Sequence, residues 1–134
     1  MPITTTTTAA PVPTTTAAPG PIRLEDGVAD LRSGVAAEEV EMVDNGVFTD
    51  DVAKLALYQE PGEFSWARGL AAPPPGVVNV AVAAGGHLVC LTTSTDDGVL
   101  AASYLLSETT REVRLGRGPI GSCTAAGVRG LPRT

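Results

Sequence analysis

The sequence predicts an α+β fold in which an N-terminal amphipathic helix packs on a four-stranded antiparallel meander to form a two-layer sandwich. Two observations support this fold. Apolar residues recur at helical spacing in the first half of the chain, and they alternate with a period of two after Gly76. Short turns separate the alternating segments, which favours hairpins between sequential strands. A length of 134 residues allows one ordinary domain of this kind.

The first helix is predicted from Leu24 to about Asp44. Its apolar residues share one stripe at helical spacing, with Val43 at the edge of the stripe, and they are Leu24, Val28, Leu31, Val35 and Met42. Pro21 precedes this segment and Asn45-Gly46 follows it, as is typical of helix boundaries. Glu39 lies near the stripe and is the one residue expected to break its apolar pattern.

A second, shorter helix is predicted from Asp50 to Tyr58. Thr49 or Asp50 can cap it, and acidic residues occupy its first turn. The connection that follows, residues 59–76, is rich in proline and glycine and holds the single tryptophan. The aromatic side chains of this region either cover the edge of the core or form an exposed contact patch, and they are Tyr58, Phe64 and Trp66.

Four strands are predicted after this connection. They cover residues 77–83, 87–93, 99–107 and 111–115. The first turn, Ala84-Gly85-Gly86, and the second, Asp96-Asp97-Gly98, have the glycine expected of a hairpin, and Glu108-Thr109-Thr110 makes the third. Since each turn is short, sequential strands are expected to pair antiparallel.

The composition argues against several classes of function. Nine basic residues in a chain of net charge −6 do not provide the basic face that nucleic acid requires. Apolar runs of about eight residues are too short to span a bilayer. Two cysteines and one histidine, His87, are too few for a zinc site, and we expect neither a metal nor a cofactor. The adjacent acid pairs lack a facing partner across a cleft, so we predict no enzymatic activity.

The acidic residues concentrate in one half of the chain. Residues 22–68 hold eleven acidic and four basic side chains, whereas residues 69–134 hold four and five. Such asymmetry suits contact between the acidic half of one copy and the basic end of the next. The candidate contact residues at that basic end are Arg111, Arg114 and Arg117. The alternative is a helix face that is simply solvated.

Cys90 lies in the second predicted strand, and Cys123 lies 33 residues later in the C-terminal loop. A chain with so few aromatic residues has a thin core, and closing this loop would contribute roughly 3–4 kcal/mol. The pair therefore favours a disulfide and an oxidising compartment. The alternative is two unpaired buried thiols in a cytosolic protein.

The chain divides into three segments. Residues 1–21 hold eight threonines, five prolines and no charged side chain, which is typical of an extended tail or tether. Residues 22–125 form the predicted α+β domain, and residues 126–134 are expected to form a basic C-terminal tail.

Four short motifs occur in an order and at spacings that match one known family. They are Asp44-Asn45-Gly46, Phe48-Thr49-Asp50, Cys90-Leu91-Thr92-Thr93-Ser94 and Gly121-Ser122-Cys123. Together they resemble the globular head of bacterial type IV pilins and pilin-like proteins over about residues 24–125. The resemblance implies a pilin-like helix-plus-meander domain and the same Cys90–Cys123 disulfide. The hydrophobic N-terminal helix of that family is replaced here by the Thr/Pro-rich tract.

The resemblance implies a non-enzymatic structural subunit of an extracellular or cell-surface assembly. Its partners would be other copies or other structural subunits, contacted through the tail and the charged faces. Because the hydrophobic helix is missing, two alternatives stay open. One is a surface, coat or decoration protein of a virion. The other is an adhesin-like module that binds a cell-surface ligand through the 59–76 loop.

Overall fold

Three α-helices and five strands make up the part of the chain that the computed structural model describes, residues 22–59 and 63–133. The predicted tail over residues 1–21 lies outside these described residues. In chain order the elements are α1 (Leu24–Asn45), α2 (Val52–Ala56), β1 (Ser65–Arg68), β2 (Val77–Ala83), β3 (Leu88–Thr95), β4 (Gly98–Leu106), β5 (Arg111–Arg117) and α3 (Ala125–Arg129).

The sheet has five strands in the order β1-β2-β3-β4-β5, and it is mixed. β1 pairs parallel with β2, whereas all other neighbours pair antiparallel. The prediction of a four-stranded antiparallel meander is therefore wrong, although the α+β class is correct. The missed strand, β1, has only four residues, which is too few for a period of two to be recognised. Its parallel pairing depends on the crossover at residues 69–76, which lies within the segment predicted as a proline- and glycine-rich connection.

Helix α1 covers one side of the sheet, here called the front face. It packs mainly on β3 and β4, and its buried Leu31 and Val35 join Leu91 and Leu100 in one apolar cluster. Gly34 permits this close approach, because a Cβ atom there would lie 3.0 Å from Leu91 Cδ1. The predicted stripe thus faces the sheet.

The helix ends where its sequence predicts. Gly46 adopts a left-handed conformation with φ of 78°, and its N–H donates to the carbonyl of Met42. Glycine is the residue that adopts this conformation without a steric penalty. The chain then turns towards the sheet, and the first buried apolar side chain after the cap, Phe48, packs against Tyr104 with ring centroids 4.9 Å apart.

The other side of the sheet, the back face, is covered by irregular chain. Residues 118–133, here called the C-terminal segment, contribute Ile120, Cys123, Val128 and Leu131 to a second apolar cluster, and the crossover adds Leu70. Residues 126–133, expected as a basic tail, thus form the second half of this cover. Because both faces are covered, the central strand β3 is buried at six successive residues, from 88 to 93.

Candidate interaction site

Cys90 and Cys123 form the predicted disulfide, with their Cα atoms 5.8 Å apart. Cys90 lies fully buried on the back face of the central strand. Cys123 lies in the middle of the C-terminal segment and reaches the neighbouring strand, where its Sγ is 3.7 Å from the carbonyl oxygen of Ala81. The bond therefore attaches the C-terminal segment directly to the centre of the sheet.

Backbone hydrogen bonds close both ends of this segment on the sheet. The N–H of Gly118 donates to the carbonyl of Val99, and the N–H of Arg117 donates to the carbonyl of Pro132. Gly116 and Arg133 also form an isolated antiparallel bridge. The segment is therefore a closed loop that leaves β5, crosses the back face and returns to β5.

An apolar cleft of about 570 Å³ opens at the end of the molecule where α1 finishes. Its apolar wall consists of Met42 from the last turns of α1 and Leu105 and Leu106 from the end of β4. The other lining residues are Gly46, Ala84, His87, Ser107 and Glu108. Since helix, hairpin turn and strand end all meet here, we call this end of the molecule the cleft end.

Exposed apolar side chains extend the cleft end onto the surface. Val43 follows Met42 in α1 and is 83% exposed, although valine is among the residues that proteins most often bury. Val40, one turn earlier, and Val47, just beyond the helix cap, are 42% and 38% exposed. Residues three apart on a helix are neighbours, so Val40 and Val43 form a continuous apolar surface. Exposed apolar surface next to a cleft is typical of a contact site.

The opposite end of the molecule, here called the tail end, is where the described chain begins. The N–H of Asp96, in the turn between β3 and β4, donates to the carbonyl of Ile22 over 2.7 Å. A helix of 22 residues then separates this point from the cleft end. At 1.5 Å per residue the two ends are about 33 Å apart.

Two buried carboxylates lie near the cleft end on the side of α1 that faces α2. Glu38 is fully buried, and its Oε1 accepts the backbone N–H of Thr49 over 2.9 Å. Its second oxygen has no hydrogen-bond partner among the described residues. Burial raises the pKa of Glu38 to about 8 despite the hydrogen bond from Thr49, and the charge of Glu41 adds to the increase. A neutral Glu38 side chain is therefore the form that the fold accommodates.

Glu41, one turn further along the helix, has the opposite environment. Its carboxylate accepts hydrogen bonds from Lys54 Nζ at 2.9 Å, Asn45 Nδ2 at 2.7 Å and Tyr58 Oη at 3.1 Å. Burial would raise the pKa of Glu41, but these three donors together lower it below its usual value. Glu41 is therefore a buried anion that ties α2 to α1.

The aromatic candidates from the sequence all have inward contacts. Phe64 is buried in the front core and meets Trp66 edge-to-face, with ring centroids 5.1 Å apart. Trp66 and Tyr58 are half-buried against the same core. Tyr58 also directs its hydroxyl to Glu41. The structure thus places these side chains over the edge of the core, which is the first of the two alternatives that the sequence left open.

Two of the three candidate arginines are engaged within the molecule. Arg111 bonds Glu39 of α1 over 2.7 Å and also lies 5.5 Å above the ring of Tyr104. Arg114 lies 3.5 Å from Glu112, which also pairs with Arg129 of α3. Arg117 is exposed and has no carboxylate within ion-pair distance among the described residues. The structure therefore does not gather the three arginines into one contact surface.

Sequence reasoning missed the residues that make the cleft end distinctive. Glu39, expected to break the apolar stripe, lies at its edge and pairs with Arg111, whereas Glu38 and Glu41 are buried. A helical projection that included charged residues would have placed Glu38 on the same face as Leu31. The pairing of Met42 with the end of β4 has no signal in the local sequence, because it depends on how far α1 extends along the sheet.

The comparisons with known proteins give no relative for this chain. No protein-family model, no curated protein and no solved structure matches it. The likeness to type IV pilins therefore stays a prediction from short motifs. Among residues 22–59 and 63–133, no helix is long and apolar enough to cross a membrane.

Proposed function

We propose that this protein is a non-enzymatic structural subunit of an extracellular assembly, and that it contacts other subunits through its cleft end. The observation that supports this most directly is the concentration of exposed apolar side chains there. Of the five large hydrophobic residues exposed among the described residues, three lie within eight positions of one another, namely Val40, Val43 and Val47. An apolar surface of this kind gains stability when another protein covers it.

The disulfide supports the extracellular part of the proposal. Disulfides persist in oxidising environments and are rare in the cytosol. Here the bond fixes the irregular C-terminal segment to the sheet. A subunit that is exposed outside the cell needs this resistance to local opening and proteolysis, since irregular surface chain is where proteases usually cut.

The proposal is tested by measuring self-association of the full chain. We expect light scattering coupled to size-exclusion chromatography to show a molar mass that rises with protein concentration. Val43→Glu places a charge on the most exposed valine of the cleft end and should lower the association constant at least about tenfold. The side chain of Val43 is mostly in solvent, so the fold itself should not change.

The matched control is Ala29→Glu, which adds the same charge to an exposed position of the same helix. Ala29 lies fourteen residues before Val43, about 21 Å along the helix axis. Association should be unaffected by this change. A chain that stays monomeric at all concentrations, or equal weakening by both substitutions, would overturn the proposal.

A further inference from the structure

We infer that the cleft receives the uncharged N-terminal segment, residues 1–21, of a neighbouring copy, so that subunits join cleft end to tail end. This inference rests on the proposed function, because it names the partner of the same surface. Three observations support it: the chemistry of the cleft, the chemistry of the segment, and the positions of the two on opposite ends of the molecule.

The cleft is suited to an uncharged, apolar ligand. Met42, Leu105 and Leu106 form its wall, and Glu108 is the one carboxylate that lines it. Arg111, which neighbours Leu106 across the β4–β5 pair, is already bonded to Glu39. A charged ligand would therefore lose its hydration without gaining a full set of partners, whereas an apolar ligand needs none.

Residues 1–21 have the composition that such a cleft can bind. They contain no charged side chain, and Val12 lies between Pro11 and Pro13. Proline favours an extended polyproline conformation before binding, so little conformational entropy is lost when the segment docks. Val12 and Ile3 are the two β-branched aliphatic side chains available to fill the cleft.

The geometry favours a neighbouring copy over the same chain. The segment joins the domain at the tail end, where Ile22 bonds Asp96, whereas the cleft lies at the far end of α1. To reach its own cleft, the segment would have to reverse direction just before α1. Pro19-Gly20-Pro21 favours an extended path at this point. Val12 precedes Ile22 by ten positions, so a polyproline path between them would span about 31 Å, which is enough to reach a second molecule.

Joining opposite ends has a consequence for the assembly. The two surfaces of such a contact differ, so a pair of subunits joined in this way still has one free cleft at one end and one free segment at the other. Contacts of this kind produce rings if the rotation between subunits closes and open filaments if it does not. We therefore expect a series of oligomers at increasing concentration rather than a single dimer.

The first test changes the segment, which lies outside the described domain. The double variant Ile3→Asp, Val12→Asp should lower the association constant of the full chain at least about tenfold. The matched control is Thr6→Asp with Thr15→Asp, which adds the same charge to polar positions. Equal weakening by both pairs, or no weakening by the first, would overturn the inference.

The second test identifies the binding site. A synthetic peptide of residues 1–21 is titrated into the full chain carrying Ile3→Asp and Val12→Asp, and the methyl groups are followed by NMR. We expect concentration-dependent shifts at Met42, Leu105 and Leu106, and no comparable shifts at Leu131 on the back face. Shifts confined to other parts of the molecule, or none, would overturn the inference.

The two proposals fail in different ways. If Val43→Glu weakens association and the segment variants do not, the cleft end is a contact surface but its partner is not the N-terminal segment. If the full chain is monomeric and the peptide still shifts the cleft methyl groups, the segment binds its own cleft, and both self-association and the neighbouring copy are ruled out.

Discussion

The two faces of the sheet are stabilised in different ways. On the front face, α1 and the segments around it bury a continuous core of thirteen hydrophobic residues. This core includes the Phe48–Tyr104 ring pair and Phe64, and Trp66 packs against Phe64 from a partly buried position. On the back face only five buried hydrophobic residues form the core, and irregular chain covers them. The disulfide lies on this second face.

This difference shows where a covalent cross-link contributes most. A long amphipathic helix removes enough apolar surface from water to hold itself on the sheet. The C-terminal segment has only the five-residue helix α3, and a helix this short is not stable by itself. The back face therefore depends on the cross-link and on backbone hydrogen bonds, whereas the front face depends on packing.

Truncating the front core should have the largest effect. Leu31 is fully buried between α1 and the sheet, so Leu31→Ala should lower the free energy of unfolding by about 3–4 kcal/mol. Chemical denaturation followed by circular dichroism measures this loss. Val128→Ala on the back face is the comparison, and we expect about 1–2 kcal/mol because fewer methyl groups are removed from a smaller cluster. Equal losses would mean that the two faces contribute equally.

Removing the disulfide should lower the free energy of unfolding almost as much as Leu31→Ala does. Its effect, however, should be concentrated in the C-terminal segment. The double variant Cys90→Ala, Cys123→Ala opens a loop of 33 residues, and we expect a loss of about 3 kcal/mol. Hydrogen exchange should accelerate in residues 118–133 well before it does in α1. If α1 and the C-terminal segment exchange faster by the same factor, the disulfide stabilises the whole domain and not the back face in particular.

Between pH 5 and pH 9 a pH change should act mainly on the front face, because the two buried carboxylates of the described residues, Glu38 and Glu41, both lie in α1. Burial raises the pKa of Glu38 to about 8, above its value of 4.5 in the unfolded chain. Between pH 4.5 and about pH 8 the folded state therefore binds more protons than the unfolded state does. Its stability falls as pH rises through this range, by at most about 1.4 kcal/mol per pH unit. Thermal melts from pH 5 to pH 9 measure this slope.

Glu38→Gln should flatten that profile and leave the variant more stable than the unaltered chain at pH 8, since glutamine keeps the acceptor for Thr49. Burial also raises the pKa of Asp30, to about 6. Its titration therefore also makes stability fall as pH rises, but at lower pH than that of Glu38. Glu41→Gln is the matched control. The fold lowers the pKa of Glu41 below 4.5. The ionised Glu41 carboxylate therefore stabilises the folded state above pH 4.5, and this stabilisation is lost on acidification. Glu41→Gln should accordingly destabilise the fold at pH 7. If stability depends on pH equally steeply in Glu38→Gln and in the unaltered chain, Glu38 is not the group responsible for this dependence.

Much of the fold is encoded locally and could be predicted. The apolar stripe from Leu24 to Met42, the Gly46 cap and the glycine-containing turns each specify their own element, and all are found. The disulfide was also expected, because two cysteines in a thin core favour pairing. These features depend on residues close in sequence, or on a pair with no competing partner.

The remainder depends on contacts between distant residues. β1 becomes a strand because the crossover places Trp66 beside Val78, which no pattern in its four residues indicates. The cleft forms where the end of α1 lies beside the end of β4, which brings Met42 next to Leu105 and Leu106. Likewise, Glu38 is buried because the turn at Thr49 folds over it, and a helix pattern alone does not include that turn.

Both ends of the described chain lie at the tail end. Ile22 bonds the β3–β4 turn, and Arg133 pairs with Gly116 near the finish of β5. A fluorescent protein or an affinity label fused at the C-terminus, next to Arg133, would therefore be held away from the cleft. For the same reason the domain could be inserted into a surface loop of a host protein, because its two attachment points lie on the same side. Such an insertion would leave Val43 and the cleft facing outward.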